Sequence, residues 1–266
     1  CWRSPISKSF IPTMFFASII RSFFVRFIVW FFIKKSGSNS TSGNELGNSS
    51  GSSENSEEVV ALKVKIAKLE QQIEDLEKHK EEDAKRFEEA EAKEPDVPNA
   101  MSLSTVNAKG RVSSRMVLLK GYDQRGFVFY TNIGSRKGRD IAENRSVALL
   151  FHWKSLKRQI RITGAAEQVD GEEADTYFAS RSRGSQVGAW ASRQSDHLRS
   201  RDLLEEEIRE FEKEFADKAI PRPPFWTGYR VIPHEIEFWD EGEFRLHNRI
   251  LYSLEGSEWS KSLLYP

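Results

Sequence analysis

Beyond Pro98 the chain runs through short apolar stretches separated by turn-forming residues, and this spacing constrains the fold more than any other feature. The stretches SLSTV (102–106), MVLLK (116–120), FVFYT (127–131) and VALLF (147–151) are rich in β-branched, aromatic or aliphatic residues. Between them stand Asn107-Ala108-Lys109-Gly110 and Asp123-Gln124-Arg125-Gly126, residue types that close hairpins. Residues 159–163 (QIRIT) alternate polar and apolar, as a strand with one wet face does. Helices are expected at 171–180 and at about 201–217, the second with Leu203, Leu204, Ile208, Phe211 and Phe215 on one stripe. Strands are expected again at 229–232, 235–239, 245–252 and about 259–263. Consecutive hairpins with helices inserted late predict an α+β domain built on an antiparallel barrel with peripheral helices, not alternating βαβ units.

The first 93 residues have a different character. Residues 10–33 hold eight of the 18 phenylalanines, interrupted by Arg21 and Arg26, and no acidic residue precedes Glu45. An apolar, Arg-bearing, acid-free leader over 1–35 reads first as an organelle transit peptide and second as a membrane anchor. Two arginines inside a span would cost roughly 2.5 to 3.5 kcal/mol each near the bilayer centre. A third reading is a misassigned start, because the first methionine is Met14. A transit peptide would address a mitochondrion or plastid; without one the expected location is cytoplasmic, and membrane contact would run only through this leader. Residues 36–56 are Ser-, Gly- and Asn-rich, a composition expected to stay disordered as a linker. Residues 57–93 read as a charged helix, with Leu62, Ile66, Leu69, Ile73 and Leu76 at heptad spacing until Lys80 and Asp83 fall on the seam. The catalytic or binding domain is then expected at 94–266.

Charge excludes one class of function and hides another. The 40 Lys and Arg balance the 40 Asp and Glu, which argues against a chain whose whole body is a nucleic-acid binder. The zero conceals six basic and one acidic residue over 1–53, eight and 13 over 54–93, and 26 of each over 94–266. Cys1 is the single cysteine, so neither an intrachain disulfide nor a Cys-based metal knuckle is available, and five scattered histidines give no zinc spacing. GxGxxG, GxxxxGK[ST] and HExxH are absent, and the one GxSxG match, GNSSG at 47–51, lies in the Ser- and Gly-rich tract and not at a nucleophile elbow. What stands out is cations beside apolar strands: Arg115 and Lys120 around MVLL, Arg136 and Lys137 after Tyr130-Thr131, Arg161, Arg181, Arg183, and Arg245 and Arg249. A phosphate would meet such groups, the Arg fork bidentately and Lys as a point charge. Spacing alone leaves the bland alternative ahead, solvated strand ends whose stems pack on the barrel.

The residues RMVLLKGYDQRGFVFYTNIGSRKGRDI (115–141), RQIRITGAAE (158–167), YFASRSRGSQVGAWAS (177–192), RQS (193–195), PRPPFWTGYRVIPHEIEFW (221–239) and RLHNR (245–249) closely resemble the pyridoxamine/pyridoxine 5′-phosphate oxidase family, from about Glu94 to Trp259. The resemblance implies an FMN-binding split β-barrel and a homodimer with FMN at the interface. It also implies oxidation of pyridoxamine or pyridoxine 5′-phosphate to pyridoxal 5′-phosphate, with O2 becoming H2O2. Matched position by position, it places FMN contacts at Arg115, Met116, Val117, Leu118, Leu119, Lys120, Tyr130, Thr131, Arg136, Lys137, Gln159, Gln194, Ser195, Trp239 and Arg249. It places substrate contacts at Lys120, Tyr177, Arg181, Ser185, Arg245 and His247, the last two also catalytic. Arg245 and His247, two apart on an expected strand, would point to the same face. No metal is implied. An alternative of another class is a split-barrel protein that holds FMN or pyridoxal phosphate with little turnover. It is motivated by Asn248 where the family usually has Asp, by the LLYP tail where it usually ends Arg-Leu-Ala-Pro, and by the missing N-terminal segment that covers the substrate.

Overall fold

The computed structural model describes residues 60–68, 71 and 85–266. The leader, the linker and most of the heptad helix, including Leu69, Ile73 and Leu76, lie outside them; 60–68 and 85–93 are helical, with Leu62 exposed. Residues 93–266 form one unit.

Nine strands follow: β1 (Ala100–Val106), β2 (Val112–Leu118), β3 (Gly121–Asp123), β4 (Gly126–Asn132), β5 (Ser146–Trp153), β6 (Arg158–Gln168), β7 (Trp226–Asp240), β8 (Asn248–Glu255) and β9 (Glu258–Leu263). Every pairing is antiparallel, in the order β2-β1-β5-β6-β7-β4-β3, with β8 on β7 and β9 on β8. Between strands lie α1 (Arg136–Glu143), α2 (Gly171–Ala179), α3 (Arg183–Ala191) and α4 (Arg201–Glu214). This curled sheet with helices at its margin is the expected α+β split barrel.

Alternation builds the core. In β1 every second residue is buried, Met101, Leu103 and Thr105, and β5 buries Val147, Leu149, Phe151 and Trp153. These meet Ile160 and Ile162 of β6 and Val231 of β7. A second cluster of Phe178, Val187, Phe215, Ile220 and Trp226 binds the helices to the β7 end, with Ile208 and Phe211 of α4 packed against it. The α4 stripe is shallower than its spacing predicts, for no residue within α4 is buried and only Phe215 beyond its end is. The chain from Glu94 is tied to the β5–β6 turn: Trp153 Nε1 donates to Pro98 O at 2.8 Å, and Ser155 donates to Glu94 Oε1.

Two expected strands, 229–232 and 235–239, prove to be one. Pro233 does not break β7, because a register shift opposite Thr163 and Gly164 leaves His234 as an extra residue there. β7 therefore pairs with β6 along its length, with β4 through its first half and with β8 through its second. At the shift the strands come so close that a Cβ on Gly164 would lie 2.2 Å from Ile232 O. Gly164→Ala is accordingly expected to cost about 2 to 3 kcal/mol, as other overpacked sites do, read as a lower urea midpoint at unchanged slope.

Candidate functional site

Residues Tyr130 and Thr131 are neighbours on β4 and so face opposite ways, and a cluster of polar or aromatic side chains has formed at each. On the Thr131 side, Lys137 reaches back from the first turn of α1, whose start is set by Ser135: its side chain caps the Gly138 N–H. Lys137 is 8% exposed, yet the partners of its ammonium are neutral oxygens, Gln194 Oε1 at 2.8 Å, Thr131 Oγ1 at 3.1 Å and Ser135 Oγ at 3.3 Å. Burial, with a smaller effect from Arg115, pushes its pKa down to about 8. Ser195, beside Gln194, holds a φ of 77°, a left-handed turn that a serine seldom takes.

Arg115 lies next to this cluster. Its Nη1 donates to Leu103 O at 3.0 Å and to Thr105 Oγ1 at 2.9 Å, and its Nη2 stands 3.8 Å from Asp140 Oδ2. Asp140, buried in α1, also accepts from Thr105 and Ser113, and those bonds together with Arg115 and Arg136 outweigh burial and lower its pKa. One carboxylate against Arg115, Arg136 and Lys137 leaves the patch cationic. That excess suits a bound phosphate. Met116 is exposed, Val117 and Leu118 are half-buried, Leu119 is buried, and Leu119 N donates to Asn99 O. MVLLK thus spans the end of β2 and the bend into β3, not one strand.

Across β4, Tyr130 packs with Tyr177 of α2 and Trp226 of β7 in a group of nearly parallel rings, its centroid 3.9 and 5.3 Å from theirs with planes within 13° and 9°, and the other two 6.2 Å apart. The ring lies flat because its register partner is Gly228, where a Cβ would stand 2.7 Å from Tyr130 Cε1. Burial raises the phenol pKa of both tyrosines, that of Tyr177 to about 12, so both stay protonated donors. Arg181, beyond the end of α2, is half-buried with its Nη1 enclosed and without a hydrogen-bond partner among the described residues. Burial lowers the pKa of Lys120, and Arg181 nearby lowers it further. Ser185 Oγ stands 2.8 Å from Ser182 Oγ in the first turn of α3, a helix not expected from sequence because Gly184 and Gly188 weaken its pattern.

A third group lies in register across three strands. Gln159 of β6 faces Trp239 of β7, which faces Arg249 of β8. Arg249 Nε donates to buried Glu237 at 2.7 Å and Nη1 donates to Tyr265 O at 2.9 Å. The bond to Glu237 raises the Arg249 pKa. Two expectations change here. Glu237 supplies a carboxylate to Arg249, and the LLYP tail is tied in through Tyr265 O and through Leu264 N to Arg249 O. Arg245 is not on a strand with His247: it ends a short 3-10 turn (Glu243–Arg245), and β8 begins only at Asn248. Consecutive left-handed residues, Phe244 (φ 54°) and Arg245 (φ 65°), bend the chain there, so strand alternation cannot orient the pair. His247 instead packs on Trp239 at 4.5 Å, and Gly242 N donates to its Nδ1 at 3.3 Å.

Other cations hold the fold. Arg161 pairs with Glu237 at 3.3 Å, and Arg183 donates to Phe215 O and Lys218 O. Arg230, not singled out from sequence, bridges Asp123 and Glu173. Sequence reasoning also missed Trp226 and Asp140; their signal is weak, since a tryptophan beginning a strand and an aspartate inside a helix have many ordinary uses. Among the described residues no cluster of His, Cys, Asp and Glu could hold a metal.

Residues 87–214 match the family model described as pyridoxamine 5′-phosphate oxidase, and 226–266 match the pyridoxine 5′-phosphate oxidase C-terminal dimerisation region. A pyridoxine/pyridoxamine 5′-phosphate oxidase of Rubrobacter xylanophilus is 56% identical over 169 residues, 64% of this chain and 78% of the relative. One from Zymomonas mobilis is 51% identical over 180 residues, 68% of this chain and 94% of the relative. Among solved structures, PhzG from Burkholderia lata 383, in complex with tetrahydrophenazine-1-carboxylic acid, superposes with a TM-score of 0.61 at 37% identity, covering 64% of this chain and 83% of that one. A pyridoxamine 5′-phosphate oxidase-related, FMN binding protein of Nostoc punctiforme shares the fold, with a TM-score of 0.56 at 16% identity over 68% of this chain and 96% of its own. The likeness extends across both the barrel and the dimerisation region, and the chain belongs to the pyridoxamine 5′-phosphate oxidase family of oxidoreductases.

Proposed function

We propose that the chain is an FMN-dependent oxidase that converts pyridoxamine or pyridoxine 5′-phosphate to pyridoxal 5′-phosphate in vitamin B6 salvage. The observation that carries this reading is a pair of separate cation sets lacking carboxylate partners at their key nitrogens. Lys137 is held by neutral oxygens, and Arg181 Nη1 is enclosed without a partner. Two such sets suit two phosphate groups, one on a cofactor and one on a substrate. FMN, when bound, would supply two-electron redox chemistry, accepting a hydride from the substrate C4′ carbon as the attached hydroxyl or amine loses a proton, with both electrons and two protons passing to O2 as H2O2; the imine formed from pyridoxamine 5′-phosphate would take up water and release ammonia. Lys137, Arg136 and Arg115 would hold its phosphate with Thr131, Gln194 and Ser195, while Gln159, Trp239 and Arg249 would present one strand-aligned edge. Tyr177, Arg181, Ser185 and Lys120 would hold the substrate phosphate, and Arg245 and His247 would address the reacting end. The dimerisation region carries Trp239, Arg245, His247 and Arg249, which supports a homodimer in which a second copy completes each site.

The proposed organisation is an enzyme domain from residue 94 onward, with a leader over 1–35 that directs the chain to an organelle. The test is direct: purify the full chain, record the flavin absorbance, add pyridoxamine 5′-phosphate, and follow pyridoxal 5′-phosphate and peroxide. Equimolar product and peroxide are expected. A yellow protein without product would favour a binding protein with little turnover. The likeness to PhzG motivates a second arm with tetrahydrophenazine-1-carboxylic acid, and oxidation of that compound alone would replace the vitamin reading.

A further inference from the structure

We propose that Trp226 is a positioning residue that holds the Arg181 guanidinium against its ring face and so keeps that group's charge and donors free for the substrate phosphate. The inference rests on the reading that Arg181 receives that phosphate, and it adds the means by which Arg181 is held. The guanidinium carbon lies 4.9 Å from the Trp226 ring centroid and 5.5 Å from that of Phe178. These are cation–π distances.

The way an arginine is held decides what it can still bind. Arg230, buried like Trp226, gives Nη1 to Asp123 and Nη2 to both carboxylate oxygens of Glu173, which neutralise it and occupy those N–H groups. A carboxylate beside Arg181 would do the same and would compete with an incoming anion. A ring face fixes a guanidinium in its plane by attraction to the ring's negative face, yet takes up none of the in-plane donors.

Trp226 is itself immobilised on every side, as a positioning group must be. It is 6% exposed, its backbone N donates to Pro223 O at 3.0 Å, and its carbonyl accepts from Arg222 at 2.7 Å. Arg222 is paired in turn with Asp175 of α2. Tyr130 stacks on one side of the indole, and the Phe178 ring meets it edge-on at 5.1 Å. One aromatic stack therefore sets Tyr177 and Arg181 together.

The experiment uses the full-length protein loaded with FMN. Affinity for pyridoxal 5′-phosphate is measured by equilibrium dialysis with inorganic phosphate as competitor, beside steady-state KM and kcat for pyridoxamine 5′-phosphate. Trp226→Leu is expected to weaken binding about 5- to 30-fold and to raise KM more than it lowers kcat, whereas Trp226→Phe stays near the parent. Combined with Arg181→Leu, Trp226→Leu should add little, because the second change removes a partner already lost. Fluorinated tryptophans at 226 keep the shape but withdraw charge from the ring face, so binding should weaken in step with fluorine content even if the leucine variant fails to fold. If Arg181→Leu leaves phosphate binding unchanged, the phosphate reading itself falls and the role of Trp226 with it. If Arg181→Leu weakens binding while the fluorinated series has no effect, or the two leucine changes add in full, Arg181 keeps its role and the positioning by Trp226 is overturned.

Discussion

Replacing Lys137 by methionine is expected to weaken FMN retention about 10- to 100-fold, the usual loss for one charged hydrogen bond removed from a buried site. Methionine keeps the length and apolar stem, so the α1 turn and the Ser135 cap should persist. The same residue predicts a pH effect. In the unliganded protein burial brings the Lys137 pKa down to about 8 from its ordinary 10.5. A phosphate monoester is a dianion above its second pKa of about 6 and binds the charged ammonium. FMN affinity should hold from about pH 6.5 to 8 and then fall as the pH rises further, since binding must then recapture a proton. Stability of the flavin-free chain should move the other way. An unfolded chain binds more protons than the folded one between the two pKa values, so the lysine's destabilising charge is fully present below pH 8 and is relieved as pH rises through it. Fluorescence titration of FMN and thermal melts of the flavin-free protein across pH 7 to 10 test both. Matching trends for the parent and Lys137→Met would remove Lys137 from the phosphate site.

Much of the barrel was legible in the sequence because its signal is local. The apolar run VALLF (147–151) falls within β5, and the turns at 107–110 and 123–126 carry the glycines whose positive φ they need, 73° at Gly110 and 133° at Gly126. What the sequence hid is tertiary. Pro233 argues against a continuous β7, yet an extra residue opposite Gly164 absorbs it. Arg245 and His247 look strand-like from their spacing, and two left-handed residues decide otherwise. For the candidate site, the resemblance named the residues, but charge spacing alone could not separate Arg181 from Arg183. The difference is in the partners: Arg183 gives its donors to the carbonyls of Phe215 and Lys218, while Arg181 lies on rings. Partners 30 or more residues away leave no mark in a local pattern.

The turn at 243–247 bears on the largest kinetic effect expected. Arg245→Leu and His247→Asn should each lower kcat/KM for pyridoxamine 5′-phosphate by about 100-fold or more, the scale of losing one donor aimed at developing charge. His247 Nδ1 accepts from the Gly242 N–H, so the ring proton lies on Nε2, and that edge is the one able to donate to substrate. It packs on Trp239, a proposed flavin neighbour, and in the proposed site that contact would hold the imidazole near the reacting carbon. Asparagine retains an amide donor but not the ring contact, so the His247 variant tests orientation more than hydrogen bonding. Arg245 is exposed in the single chain, and its left-handed backbone costs strain of order 1 kcal/mol or more, which the fold tolerates only if something is gained. Replacing Arg245 by glycine should relieve that strain and raise Tm slightly while abolishing turnover, a combination that a merely structural arginine would not give. Flavin absorbance must stay at the parent level in all three variants. Unchanged kcat/KM in both Arg245→Leu and His247→Asn would take the turn out of the reaction and leave the flavin and phosphate sites standing without it.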